Sequence, residues 1–174
     1  MIGIWQSIWQ SNGEAIVQAV GVGIGATVIL DVFGMVRARM MKEPALDWAM
    51  FGRWLGHVVR GRFVHEAITA SAPVPFERPL GWAFHYLVGI GLAIGFLGIV
   101  GAGWFAAPVL WPAFTYGLAT VILPWVTTQP GLGMGIAASR LPNPWGARWR
   151  SVMTHAVFGL GLYHGALVWR AIPL

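Results

Sequence analysis

No charged residue stands between Arg78 and Arg140, and that gap constrains the fold more than any other feature of the chain. Residues 79–139 far exceed the about 20 residues that cross a hydrocarbon core, so they must hold two crossings. The Gly101-Ala102-Gly103 turn and Pro108 divide the stretch, which places spans over residues 80–100 and 107–129. Asp31 is the one charge between Glu14 and Arg37 and leaves a first span over residues 15–36; the uncharged run between Arg150 and Arg170 supplies a last span over 151–169. The expected fold is all-α: an integral membrane four-helix bundle, a single transmembrane domain over residues 1–174. Composition agrees, because 10% charged residues against 57% apolar cannot cover a soluble domain, which needs about 25% charged.

The net charge of +5 is not a nucleic-acid footprint, since the basic residues are confined to two loops. Arg37, Arg39, Lys42, Arg53, Arg60, Arg62 and Arg78 lie between the first and second spans, and Arg140, Arg148 and Arg150 between the third and fourth. The loop joining the second and third spans has none. Basic loops stay in the cytoplasm, so both termini are expected on the periplasmic side. There Trp5 and Trp9, one turn apart in residues 1–12, would anchor the chain at the interface. No Lys or Arg precedes the first apolar run, so no signal-peptide n-region is expected. The absence of cysteine excludes disulfides and thiolate metal ligands.

Residues 44–68 in the first basic loop form a cytoplasmic amphipathic segment. After Pro44, a good first helical residue, Trp48, Phe51, Leu55 and Val58 make an apolar stripe and Arg53, His57 and Arg60 a polar one. This pattern predicts an interfacial helix on the bilayer surface, with Arg53, Arg60 and Arg62 against anionic lipid headgroups.

The chain also carries an internal repeat. Ala26-Thr27-Val28-Ile29-Leu30 in the first span recurs as Ala119-Thr120-Val121-Ile122-Leu123 in the third. His85-x3-Gly89-x-Gly91-Leu92-x2-Gly95 in the second recurs as His155-x3-Gly159-x-Gly161-Leu162-x2-Gly165 in the fourth. Matching spans run in the same direction, so spans 1+2 and 3+4 are expected to form a parallel repeat about an axis along the membrane normal.

Counting from the basic flanks at 1.5 Å per residue, Asp31 lies about 9 Å, His85 about 10 Å and His155 about 7.5 Å inside the cytoplasmic edge. Thr127, Thr128 and Gln129 close the third span on the same side. An ionisable group in a span costs about 2.5–3.5 kcal/mol and should turn inward to a partner. Gly81, His85 and Gly89 are spaced by four, as are Ser151, His155 and Gly159, which suggests inward small-residue faces with the two histidines opposed across the axis. Asp31 has no symmetric mate: its counterpart is Pro124, expected to kink the third span and free a carbonyl. Two histidines and a carboxylate suit non-haem iron or zinc, and two histidines alone can ligate a haem. The same side chains can instead relay protons or hold helices together by hydrogen bonds. The glycine-rich run after Gln129 lacks the strand-then-helix setting of a phosphate loop and is placed as a roof or packed turn over this layer.

Several stretches resemble a family of uncharacterised bacterial inner-membrane proteins known as a domain of unknown function. They are Ala26 to Asp31, Gly52-Arg53-Trp54-x-Gly56-His57, Gly61-x-Phe63-x-His65 and Gly81-Trp82-x2-His85-Tyr86, then Gln129-Pro130-x2-Gly133-x-Gly135-x-Ala137-Ala138-Ser139-Arg140 and His155-x2-Phe158-Gly159-x-Gly161-Leu162-Tyr163. The resemblance implies a four-pass protein of a bacterial inner membrane and brings no activity. It adds Trp54, His57 and His65 to the candidates, in a loop able to cap the Asp31 layer. The leading expectation is a transition metal ion or haem at His85 and His155, with Asp31, His57 and His65 as further metal ligands and Thr127 and Gln129 completing the polar layer. The alternative is a non-enzymatic protein: a solute or proton pathway, or an accessory subunit in a homo- or hetero-oligomer.

Overall fold

The computed structural model describes residues 2–43 and 46–171, with side chains from residue 13 onward. The side chains of Trp5 and Trp9 and the placement of Pro44 lie outside that description. Eight α-helices follow in order: α1 Ile2–Met41, α2 Trp48–Val58, α3 Glu77–Val100, α4 Gly103–Ala106, α5 Leu110–Ala119, α6 Ile122–Val126, α7 Thr128–Gly131 and α8 Pro144–Ala171. No strand occurs among the described residues. Four stretches are long and apolar enough to cross a membrane: Gly13–Met41, Glu77–Val100, Leu110–Gly131 and Pro144–Ala171. The chain is an all-α, multi-pass membrane protein.

Prolines decide where helices begin. Pro79, Pro112, Pro124 and Pro130 fall in the first turns of α3, α5, α6 and α7, where a missing N–H removes no intrahelical bond. The first and last spans have no interior proline and run on beyond the charges taken as their limits. The third span, expected over 107–129 with a kink at Pro124, is three short helices in series. The chain breaks at Thr120, one turn before Pro124, and the Thr120 carbonyl that proline strips of its partner is taken at 3.0 Å by the Leu123 N–H. Thr127 (φ −117°, ψ −77°) makes the second break. At the other end of the bundle, Gly101 with φ 78° closes α3 in a conformation that favours glycine.

The spans stand in the order α3, α1, α8, α5, each packed on the next, while α3 and α5 barely meet. Small residues set the close approaches: Gly23 of α1 lies on Ile90 of α3, Gly161 of α8 on Ala26 of α1, and Gly117 of α5 on Gly159 of α8. Ala19, Val22, Ala93, Phe96, Trp104, Phe105, Phe158 and Leu162 form the core toward the Gly101 end. There the Tyr116 hydroxyl donates to the Leu92 carbonyl at 2.8 Å and joins the two outer spans.

Helix α2 is shorter than the segment 44–68 expected to be amphipathic helix, and it is fastened to the bundle rather than lying loose beside it. Gly52 and Gly81 bring α2 and α3 together backbone to backbone: a Cβ on Gly52 would overlap the Glu77 carbonyl, and one on Gly81 the Trp48 carbonyl. Gly81 thus serves the α2 contact and not, as its spacing suggested, the interior of the span bundle.

Candidate functional site

The basic half of the bundle holds two separate polar clusters. In the first, Asp31 of α1 accepts from two groups on α3. His85 Nε2–H donates to Oδ1 at 2.8 Å, and the Tyr86 hydroxyl donates to Oδ2 at 3.0 Å. Adjacent residues on a helix point about 100° apart, so His85 and Tyr86 grip the carboxylate from both sides. Trp48 of α2 closes over the histidine, its ring stacked at 4.0 Å between centroids.

The second cluster joins α5 to α8. The Thr120 hydroxyl lies 2.6 Å from the Gly117 carbonyl and 2.8 Å from His155 Nδ1. Two oxygens that close need a proton between them, so the hydroxyl donates to Gly117 and His155 Nδ1–H donates to the hydroxyl. His155 Nε2 is then a bare acceptor without a partner among the described residues.

Between these clusters lies a cavity of about 390 Å³, within the size range of small-molecule sites. Its walls are overwhelmingly apolar, from Leu30, Phe51, Val88, Leu123 and Phe158 among others, and both His85 and His155 line it. Thr27, Thr127 and Thr128 also line it, but each hydroxyl donates to the backbone carbonyl four residues earlier in the chain. Thr154 has no such bond among the described residues. No Lys, Arg, Asp or Glu is part of the lining. The wall of α3 faces the wall of α6 and α7 across the gap where the outer spans barely touch.

The expected metal centre is not found: no group of three or more ligating side chains comes together among the described residues. Asp31 spends both oxygens on His85 and Tyr86, and His155 spends Nδ1 on Thr120, which divides the expected set between two helix pairs. His57, in the last turn of α2, and His65, in the loop between α2 and α3, lie elsewhere, with ring centroids 5.1 Å apart. His57 Nε2–H donates to the Ala72 carbonyl at 2.9 Å, and His65 Nδ1–H to the Gly131 carbonyl at 2.8 Å. They pin this loop to α2 and to α7. Trp54 rests on Gly131, and its Nε1–H bonds the Phe63 carbonyl at 2.9 Å. Gln129 turns from the cavity and donates to the Ser151 hydroxyl at 3.2 Å.

Arg53 is also not where the stripe pattern placed it. Its guanidinium forks onto Glu77 at 2.9 and 2.8 Å, and a third nitrogen reaches the carbonyls of Ile68, Thr69 and Ser71 at 3.3–3.5 Å. The Glu77 hydrogen bond, and next to it the Glu77 charge, hold the group above its ordinary range against the opposing effect of burial. Arg53 is therefore not offered to headgroups, whereas Arg60 and Arg62 are exposed.

Sequence reasoning missed Tyr86, Trp48, Thr120 and Thr154 as parts of the site. The signal for Tyr86 was its place beside His85; for Thr120, its recurrence opposite Thr27. Trp48 gave only a misleading one, an apolar stripe that reads equally as lipid-facing.

The model of DUF2938, described as a protein of unknown function, matches residues 20–169, and the chain belongs to that family. No curated protein and no solved structure matches it.

Proposed function

We propose that this family member is a membrane-embedded binding protein whose cavity, lined by His85 and His155, takes an apolar molecule from the bilayer. The observation that carries the reading is a cavity of about 390 Å³ with almost wholly apolar walls, set between α3 and α6 where the span bundle is incomplete. Water filling such walls would gain few hydrogen bonds, while a lipid-soluble molecule would keep the contacts it has in the membrane. Trp48 and Phe51 of α2 form the end of the cavity, which explains why a helix outside the spans is docked so closely. This is the non-catalytic branch of the expectations; no bond-making group is required.

The same reading includes the orientation and symmetry. The basic loops face the cytoplasm of a cell with an inner membrane, both termini face away, and α1 with α3 and α5–α7 with α8 are two parallel repeats. Thr27 against Gly89, and Thr120 against His155 beside Gly159, support the repeat: in each half a threonine of the leading span meets the motif of the following one.

An uncharged alkyl diazirine in lipid nanodiscs tests the cavity. Photolysis should label Val88 and Leu123, and Val88→Trp should remove that labelling. Labels confined to outward residues such as Val17 and Ile24, unchanged by Val88→Trp, would refute the reading.

A further inference from the structure

We propose that the molecule held in the cavity is an uncharged lipid alcohol, its hydroxyl donated to His155 Nε2. The inference rests on the cavity reading above and adds the chemistry of the head. With no Lys or Arg in the lining, a phosphate or carboxylate would be stripped of water and given no counter-charge, a loss that excludes phospholipids and fatty acids. Among uncharged heads, the hydrogen-bond inventory decides.

The Thr120 hydroxyl has one proton, and the 2.6 Å approach to the Gly117 carbonyl commits it there. His155 therefore gives its proton from Nδ1, which leaves Nε2 a bare acceptor on a residue of the cavity wall, and no carboxylate lines the cavity to keep a second proton on the ring. Thr27, Thr127 and Thr128 have each spent their proton on the backbone and offer only lone pairs. The site is rich in acceptors and asks for a donor. A quinone or an ester brings carbonyls alone and leaves Nε2 unsatisfied in an apolar surrounding. A hydroxyl supplies the donor, and its lone pairs remain for the Thr154 hydroxyl. The tail lies along Val88, Leu92, Leu123 and Phe158.

The test is competition against the diazirine probe, on full-length protein in nanodiscs. The competitors are 1-dodecanol, its methyl ether, a decyl-substituted benzoquinone and dodecyl phosphate. Dodecanol should displace the probe at about tenfold lower concentration than the ether, the factor that one hydrogen bond of about 1.4 kcal/mol supplies. His155→Phe should bring alcohol and ether within about twofold, and His155→Gln, whose Oε1 is again an acceptor, should restore part of the difference. An alcohol-to-ether ratio near one in the parent, or stronger displacement by the quinone or the phosphate, overturns the proposal while leaving the cavity intact as a binding site. A failure of the probe to label the cavity at all overturns the cavity reading with it. If His155→Phe does not fold, the parent ratio alone decides.

Discussion

Trp48 lies flat on His85, ring centroids 4.0 Å apart and planes inclined by 30°, so a residue outside the spans sits directly on the histidine that holds Asp31, the one charge between Glu14 and Arg37. The relationship makes Asp31 the centre of a three-helix joint. Asp31 fixes His85 and Tyr86 of α3 to α1, and the fixed imidazole gives α2 its platform. Replacing Asp31 should therefore be felt in α2.

Asp31→Ala leaves two donors without an acceptor at membrane depth. Side-chain hydrogen bonds in bilayers average about 0.6 kcal/mol with a maximum near 1.7, so the loss should be about 1–2 kcal/mol. Asp31→Asn keeps one acceptor oxygen and should cost roughly half as much, since its amide meets the other donor with a donor. Unfolding in mixed micelles measures the ranking. Equal stability of parent, Asn and Ala would show that the joint carries nothing.

The contact of α2 with α3 depends on two glycines. A Cβ on Gly52 or Gly81 would run into a facing backbone carbonyl, which no rotamer change can relieve. Gly52→Ala and Gly81→Ala should each destabilise the contact by about 1–3 kcal/mol, in the range of overpacked cores. Gly91→Ala meets nothing within 4 Å and should be neutral or gain about 0.5–1 kcal/mol from helix propensity. Thermal denaturation of the three variants distinguishes them; a Gly52→Ala protein as stable as Gly91→Ala would contradict the backbone contact.

The charge pattern made the four spans legible, because a charge in hydrocarbon is costly whatever the fold around it. It could not show the breaks in the third span. Pro124 announces a missing N–H but not that Thr120 ends the preceding helix a turn earlier. For the site, depth along the chain put Asp31, His85 and His155 at one level, and both histidines do line one cavity. Depth says nothing of azimuth, however, and azimuth gave Asp31 to His85 and Tyr86 and gave His155 to Thr120. Arg53 was misplaced for a similar reason: its partner Glu77 lies 24 residues on, beyond any local pattern.

Arg53 holds the loop between α2 and α3 by its fork on Glu77 and its reach to the three carbonyls. Lysine has one charged nitrogen and cannot reproduce two parallel bonds. Arg53→Lys should loosen the loop and Arg53→Ala should release it, although the surface position of the pair limits the stability cost to about 1 kcal/mol. Tryptic cleavage after Arg60 and Arg62, both exposed, reads the release directly. Cleavage should quicken in the order parent, Lys, Ala, and also with salt in the parent. Identical rates in all three would mean that His57 and His65 alone fasten the loop.

The last expectation concerns direction in the membrane. Ten basic residues flank the same ends of the four spans, from Arg37 to Arg78 and from Arg140 to Arg150, while the turn at Gly101 has none. Arg60 and Arg62 are exposed and have no ion-pair partner among the described residues, and each would have to be translocated if the chain were inverted. In the proposed orientation, short basic loops are retained on the cytoplasmic side, with the Gly101 turn and both termini across the membrane. Reporter fusions active only outside the cytoplasm should work at either terminus and after Gly101, and fail after Arg62 and Arg140. Moving charge should matter as well: replacing Arg60, Arg62, Arg140 and Arg148 by Gln while adding four Lys at the Gly101 turn should yield a mixed or inverted population. Cytoplasmic signals from the terminal fusions of the unaltered chain would reverse the orientation, and with it the side from which α2 closes the cavity.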